Sequence, residues 1–87
     1  MKTYYTSEIA AKLGFSSTAL FNSELVKRGI QYETKDGFTL TGDYDFMNYV
    51  VFEQIPLEDE SVIYVRKWTN EGRDFLLDLL GYWNRRT

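Results

Sequence analysis

The segment Thr6-Ser7-Glu8-Ile9-Ala10-Ala11-Lys12-Leu13-Gly14-Phe15-Ser16-Ser17 decides how the N-terminal part of the chain folds. Its opening Thr-Ser pair carries hydroxyls that can cap the start of a helix. Its aliphatic residues then recur at helical spacing. Gly14 follows the last of them, and glycine ends helices because it adopts positive φ without a steric cost. The segment therefore predicts a first helix, a turn at Gly14, and a new helix start at Ser16-Ser17.

The next segment predicts a second helix over residues 17–28. Phe21 and Leu25 lie one turn apart and would form its buried face. A basic pair closes the helix, where positive charge complements the helix dipole, and Gly29 ends it. Two short helices joined by a glycine-containing turn have the outline of a helix-turn-helix.

Strand patterns replace helical ones after Gly29. Residues 30–34 alternate apolar and polar side chains, Lys35-Asp36-Gly37 suits a tight hairpin turn, and residues 38–40 return. Gly42-Asp43 breaks this pattern. Two further segments, 49–52 and 61–65, are rich in β-branched and aromatic residues and predict a second hairpin with an acidic tip.

A C-terminal helix is predicted from Thr69, which would cap it, to Gly81, which would end it. Trp68 would lie at the junction of strand and helix. The residues expected in the core are Phe21, Leu25, Trp68, Phe75 and Leu79. The elements predict one α+β domain over residues 1–87, a winged helix-turn-helix. It comprises the helix-turn-helix 6–29, hairpins 30–68, a C-terminal helix 69–81 and a tail 82–87.

Composition excludes several classes of function. The 87 residues include no Cys and no His, which removes disulfides, Cys/His zinc sites, thiol nucleophiles and imidazole bases. The acidic pairs, such as Asp43 with Asp45, have no accompanying lysine or glycine-rich phosphate loop. We therefore expect no enzymatic activity, no metal and no cofactor. No segment is apolar enough for a membrane span or a signal core, so we expect a cytoplasmic protein.

The charge is unevenly distributed along the chain. The net charge is −3, which by itself opposes nucleic-acid binding. Residues 1–42, however, carry five bases and four acids, whereas residues 43–60 carry six acids and no base. The helix-turn-helix half is therefore slightly basic, and the acidity is concentrated in the middle of the chain.

Five motifs, in order, resemble the C-terminal domain of phage antirepressor proteins, the KilAC-type domain. The family's "T-x-E-I-A-x-x-L-G-M-S" run is similar to residues 6–16, and its "L-N-x-x-L" to residues 21–25. Its "G-I-Q-Y" recurs at residues 29–32, its "G-x-W-x-L-T" is similar to residues 37–41, and its "W-T-x-x-G-R-x-F" to residues 68–75. Relatives often place basic residues early in the second helix, where this chain has Thr18, Ala19 and Leu20.

The resemblance implies a DNA-binding module of phage or prophage type that acts in transcriptional regulation in a bacterial host cell. The second helix would enter the major groove, and asparagine is suited to reading adenine. Few bases lie on this side of the chain, so binding would be weak and a homodimer would help it. The candidate DNA-binding residues are Ser16, Ser17, Thr18, Asn22, Ser23, Lys27, Arg28 and Lys35.

The same fold also suits a second function, protein interaction or oligomerisation without direct DNA binding. Antirepressors engage repressors, and the acidic segment 43–60 could face a basic regulatory partner. The candidate hydrophobic anchors are Tyr49, Phe52, Tyr64 and the pair Tyr82-Trp83, although these aromatic residues could equally fill the core. The Ser residues could likewise serve only as helix caps, and the lysines only as solvated surface charge.

Overall fold

Helices and strands follow the predicted order, with two additional elements. The computed structural model describes residues 2–35, 37–45 and 47–85, and side chains as far as residue 81. These residues form an α+β arrangement of four helices and two antiparallel sheets. The elements are β1 (Tyr4–Tyr5), α1 (Thr6–Lys12), α2 (Thr18–Lys27), β2 (Gln31–Thr34), β3 (Gly37–Leu40), α3 (Gly42–Asp45), β4 (Val50–Pro56), β5 (Val62–Trp68) and α4 (Asn70–Arg85).

The two N-terminal helices end where the glycines predict. Gly14 and Gly29 have φ values of 88° and 77°, a region that costs glycine little and other residues more. Ser17 is the N-cap of α2, and its Oγ accepts from the Leu20 backbone N–H at 3.1 Å. The start of α1 differs from the expectation, because its N-cap is Tyr5 and the backbone N–H of Tyr5 donates to the Glu8 carboxylate at 2.9 Å.

The first hairpin is confirmed, but the inward side of its first strand is not as predicted. Thr34 pairs with Gly37, which leaves two residues for the turn. Gln31 is only 1% exposed, whereas Tyr32 is 50% exposed. The expected alternation placed apolar residues inward, but Ile30 precedes the strand and Gln31 takes the inward position. The predicted break at Gly42 is instead the start of the short helix α3.

The second hairpin is longer than the sequence predicts and belongs to a three-stranded sheet in the order β1-β5-β4. Val50 and Tyr4 flank Trp68 from its two sides. Strand β1 has only two residues, too few to show a period, so the sequence analysis missed it. Strand β1 pairs only with residues 67–68, so the rest of the hairpin extends beyond it. The molecule measures 47 × 27 × 26 Å.

The helix α4 continues through Gly81 to Arg85, so the predicted helix end at residue 81 and the tail from residue 82 are wrong. Glycine disfavours a helix interior by only about 1 kcal/mol relative to alanine, which neighbouring residues can offset. The predicted cap is confirmed in part: Thr69 precedes the helix, and its Oγ1 accepts from the Gly72 N–H at 3.0 Å.

Trp68, Thr69 and Gly72 fix the junction between β5 and α4. The hydroxyl of Thr69 donates to the Asn48 carbonyl at 2.8 Å, and its backbone N–H donates to the Tyr49 carbonyl at 2.9 Å. A Cβ at position 72 would collide with the Tyr49 carbonyl oxygen. The W-T-x-x-G pattern is therefore explained by a close approach of two backbones.

The core lies between the helix pair, the first hairpin and α4. Trp68 is fully buried, and its Nε1–H donates to the Thr6 hydroxyl at 3.0 Å. Of the predicted core residues, Phe75 and Leu79 are half-buried and pack against it. The buried hydrophobic residues are Ile9, Ala10, Leu13, Phe21, Leu25, Ile30, Leu40, Trp68, Leu76 and Leu80. Within the described part of the chain, no helix has both the length and the apolarity to cross a bilayer.

Candidate functional site

Helix α2 lies against the core on one side and faces solvent on the other. Its buried side carries Phe21 and Leu25. The turn before it is held by Phe15, whose ring meets Phe21 edge-on with centroids 5.2 Å apart. These aromatic and aliphatic contacts fix which face of α2 is buried, and the opposite face is therefore exposed.

The outer face of α2 is more apolar than a phosphate-binding surface requires. Leu20 is 55% exposed and Val26 is 40% exposed, and Ala19 is exposed beside them. Ser23 and Lys27 are the polar exposed residues among the predicted contacts on this helix. The face therefore offers both aliphatic surface and a single positive charge within its last turn.

The hydroxyl residues at the start of α2 are accessible to different extents. Ser16 and Ser17 are exposed, whereas Thr18 is half-buried. Ser17 accepts a hydrogen bond as the N-cap, but its hydroxyl proton can still be donated to a ligand. Ser16 and Ser17 are thus capable of hydrogen bonding to an anion beside the helix.

Asn22 belongs to a chain of hydrogen bonds that joins α2 to both sheets. Its Oδ1 accepts from Gln31 Nε2 at 3.0 Å, and its backbone carbonyl accepts from the same group at 3.2 Å. The Gln31 Oε1 in turn accepts from the Arg66 guanidinium at 2.9 Å. Asn22 therefore uses its carbonyl group internally, and only its amide N–H groups remain for a ligand.

Arg66, which is half-buried, supplies the positive charge of this network. Its guanidinium lies 4.8 Å from the centroid of the Trp68 ring and reaches the Phe38 carbonyl at 3.4 Å. Burial lowers the pKa of Arg66 from its ordinary value to about 10, so the side chain stays protonated at neutral pH. Gln31 and Arg66 are not among the site residues that the sequence predicts. The available signal was the polar residue directly after buried Ile30, but its partner lies 35 positions away.

The predicted basic residues are not equivalent. The Arg28 guanidinium forms an ion pair with Glu24 one turn earlier, at 2.7 Å, which offsets its charge. Lys12, Lys27 and Lys35 are exposed and form no ion pair with another described residue. Among these four residues, the three lysines therefore carry positive charge that no ion pair offsets.

A groove of about 590 Å³ runs between α2 and the first hairpin. Its lining combines aliphatic and aromatic surface with one carboxylate, that of Glu33, which forms no ion pair within the described chain. The lining residues are Ala19, Asn22, Ser23, Val26, Glu33 and Phe38. A carboxylate beside aliphatic surface suits a basic side chain with an apolar stem.

The candidate aromatic anchors differ in burial. Tyr49 stacks on Phe75 with ring centroids 4.5 Å apart and is half-buried, so it serves the core. Phe52 is 61% exposed and Tyr64 is 65% exposed. The side chains of Tyr82-Trp83 lie outside the described residues.

The tip of the second hairpin concentrates negative charge. Glu58, Asp59 and Glu60 are exposed there. The Asp59 carboxylate accepts from the Ser61 hydroxyl and from the Ser61 backbone N–H, and these bonds lower the pKa of Asp59. Among the described residues, no three acidic side chains come together in a way that could hold a metal ion. The tip therefore presents three exposed acidic side chains.

Comparison with family models, with curated proteins and with solved structures finds no match to the chain.

Proposed function

We propose that the chain is a DNA-binding module of the winged-helix type, with a role in transcriptional regulation like that of phage antirepressor domains. The observation that carries the proposal is the helix pair. Helix α2 follows α1 after a short turn, its outer face is open to solvent, and a β-hairpin lies beside it. The resemblance of five motifs in order supports the same reading.

In the proposed complex α2 enters the major groove, and the first hairpin is the wing. Ser16 and Ser17 contact phosphate at the start of the helix, and Lys27 contacts phosphate near its end. Lys35, at the turn of the hairpin, contacts the DNA backbone beside the major groove. Because the contacts are few, the affinity for DNA is modest. The logarithm of the binding constant falls linearly with the logarithm of the salt concentration, with a slope of about 0.9 for each phosphate contact.

The test is a fluorescence-anisotropy titration of a mixed-sequence DNA duplex over a series of salt concentrations. We expect Lys27→Ala to weaken binding and to reduce the salt slope by about 0.9. Lys2→Ala is the matched control, since Lys2 is also an exposed lysine but lies outside the helix pair, with its ammonium 5.4 Å from the centroid of the Tyr4 ring. Absence of binding at low salt, or equal effects of the two variants, would contradict DNA binding through α2.

A second candidate function, protein interaction, is favoured by the groove between α2 and the first hairpin. Exposed Leu20 and Val26 and the aromatic Phe38 offer apolar contact, and Glu33 opposes phosphate. These features suit an amphipathic segment with basic residues from a regulatory protein. The two candidates would use the same helix, so one substitution can separate them.

The separating substitution is Glu33→Gln. It should weaken binding of a synthetic Leu/Arg amphipathic peptide by about fivefold, the effect of a partly exposed ion pair, if the groove binds protein. If α2 binds DNA instead, the same substitution should strengthen DNA binding, because it removes a negative charge near the phosphates. Glu58→Gln, at the tip of the second hairpin, is the control for net charge and should change neither affinity.

A further inference from the structure

Strand β4 is an open edge of the three-stranded sheet. The strand order is β1-β5-β4, so one side of β4 pairs with β5 and the other has no strand beside it in the described chain. Proteins commonly protect such edges with lysines, prolines or bulges. Here the strand has one proline, at its far end, and one charge, Glu53. Most of the edge is therefore unprotected.

The hydrogen bonds of β4 show which backbone groups point outward. The Thr69 N–H donates to the Tyr49 carbonyl at 2.9 Å, and the Leu57 N–H donates to the Ser61 carbonyl at 2.8 Å. In an antiparallel ladder, bonded residues alternate along the strand. The odd-numbered residues of β4 therefore face β5, and the even-numbered residues direct their N–H and C=O groups to the open side.

The outward-facing residues are Val50, Phe52, Gln54 and Pro56, and their order restricts how two copies could pair. An antiparallel dimer about a two-fold axis normal to the sheet places one residue opposite itself. With Phe52 at the axis, Val50 meets Gln54 of the second copy, and every outward residue in the pairing has an N–H. This register allows six interchain hydrogen bonds by backbone geometry alone.

Neighbouring registers are worse for identifiable reasons. An axis at Glu53 places two carboxylates opposite each other and pairs Pro56 with Val50. An axis at Gln54 pairs Pro56 with Phe52. Proline has no N–H to donate, so the Gln54 register keeps only four interchain hydrogen bonds within the strand. The Glu53 register keeps six, but it opposes the two carboxylates. The Phe52 register avoids both defects.

The exposure of Phe52 and the ion pair of Glu53 favour the register with Phe52 at the axis. Phe52 is 61% exposed, and in this register its ring meets the same ring of the second copy, an aromatic cross-strand pair. Glu53 would stand opposite Val51, and its carboxylate is already held by Lys67 at 3.4 Å. The edge therefore carries little net charge to repel a second copy.

We propose that two copies of the chain associate edge to edge through β4, with Phe52 at the two-fold axis, to form a six-stranded sheet β1-β5-β4-β4-β5-β1. The other edge of the sheet, β1, has only two residues, so the association closes at two copies. One strand pair buries less than the roughly 1,200 Å² of a standard stable interface. The dimer therefore dissociates on dilution. This proposal does not depend on what α2 binds.

The first test is sedimentation-velocity ultracentrifugation over a range of protein concentrations. We expect a monomer–dimer equilibrium, and Phe52→Lys should weaken it by about tenfold because it opposes two like charges across the axis. Tyr64→Lys is the matched control. Tyr64 is 65% exposed and lies on β5, away from the open edge. A monomer at every concentration, or a loss of dimer in Tyr64→Lys alone, would overturn the proposal.

The second test addresses the backbone. Gln54→Pro removes an outward N–H without touching the β4–β5 ladder, so the monomer should remain folded and the dimer should weaken, whereas Gln54→Ala should keep it. In the unmodified protein, amide hydrogen exchange at Phe52 and Gln54 should slow as concentration rises. Exchange at these amides that is independent of concentration, while a dimer forms, would place the contact elsewhere and contradict the edge pairing.

Discussion

The surroundings of α2 and the outer part of the second hairpin, residues 52–65, use aromatic and aliphatic residues in opposite ways. Around α2, Phe21 and Leu25 are buried, and a half-buried hydrogen-bond network ties the helix to both sheets. In the outer hairpin, Phe52 and Tyr64 are more than half exposed, and the tip is acidic. The high aromatic content of the chain therefore serves two purposes, a core and an accessible surface.

This difference depends on distance from Trp68. At the base of the hairpin Trp68 and Val50 belong to the core, but a few residues farther along the same strands Phe52 and Tyr64 are exposed. Residue type does not change between the two parts, because both are rich in β-branched and aromatic residues. Similar strand sequences thus give a core in one place and a surface in the other.

The largest expected effect compares these two parts directly. Trp68→Ala should destabilise the fold by about 3–5 kcal/mol, because it empties a fully buried site and removes the hydrogen bond to Thr6. Phe52→Ala deletes an aromatic ring from the outer hairpin and should cost less than about 1 kcal/mol in the monomer. Urea denaturation at low protein concentration measures both. Equal losses would mean that the outer hairpin is covered in solution.

A smaller effect is expected at the joint between the hairpin and α4. Gly72→Ala should destabilise by about 1–3 kcal/mol, since its Cβ would collide with the Tyr49 carbonyl. Gly81→Ala lies in the same helix with nothing within 4 Å of its added Cβ, and should stabilise by about 0.5–1 kcal/mol. Thermal unfolding gives the sign of each change. Stabilisation by both substitutions would show that the two backbones are farther apart.

Arg66 links the second hairpin to α2 through Gln31. Its removal should lower the free energy of unfolding by an amount similar to, or smaller than, the effect of Gly72→Ala. Arg66→Met keeps much of the stem but leaves the Gln31 Oε1 without its donor, which should destabilise by about 1–3 kcal/mol. Arg28→Met breaks only the exposed pair with Glu24 and should cost less than about 0.5 kcal/mol. Urea denaturation of both variants tests this order, and a reversed order would mean that the half-buried network adds little.

The fold could be predicted furthest where structure is local. Ser17 caps α2, and Gly14 and Gly29 end their helices, because each acts on backbone groups within a few residues. The candidate site was predictable in outline, since periodicity predicts the second helix and places Lys27 in its last turn. The internal use of Asn22 was not predictable, because it depends on Gln31 in a strand that periodicity assigned to the wrong face.

The order of the main helices and hairpins, most of the caps and turns between them, and the absence of thiol and imidazole chemistry follow from the amino-acid sequence alone. The burial of particular aromatic residues, the pairing of β1 with β5, and the link from Arg66 to α2 through Gln31 arise only in the folded molecule. The two sets of features differ in the sequence separation of the residues that interact. Caps and turns are set by neighbours in the chain, whereas burial and pairing are set by residues that are distant in sequence and meet only in the folded molecule.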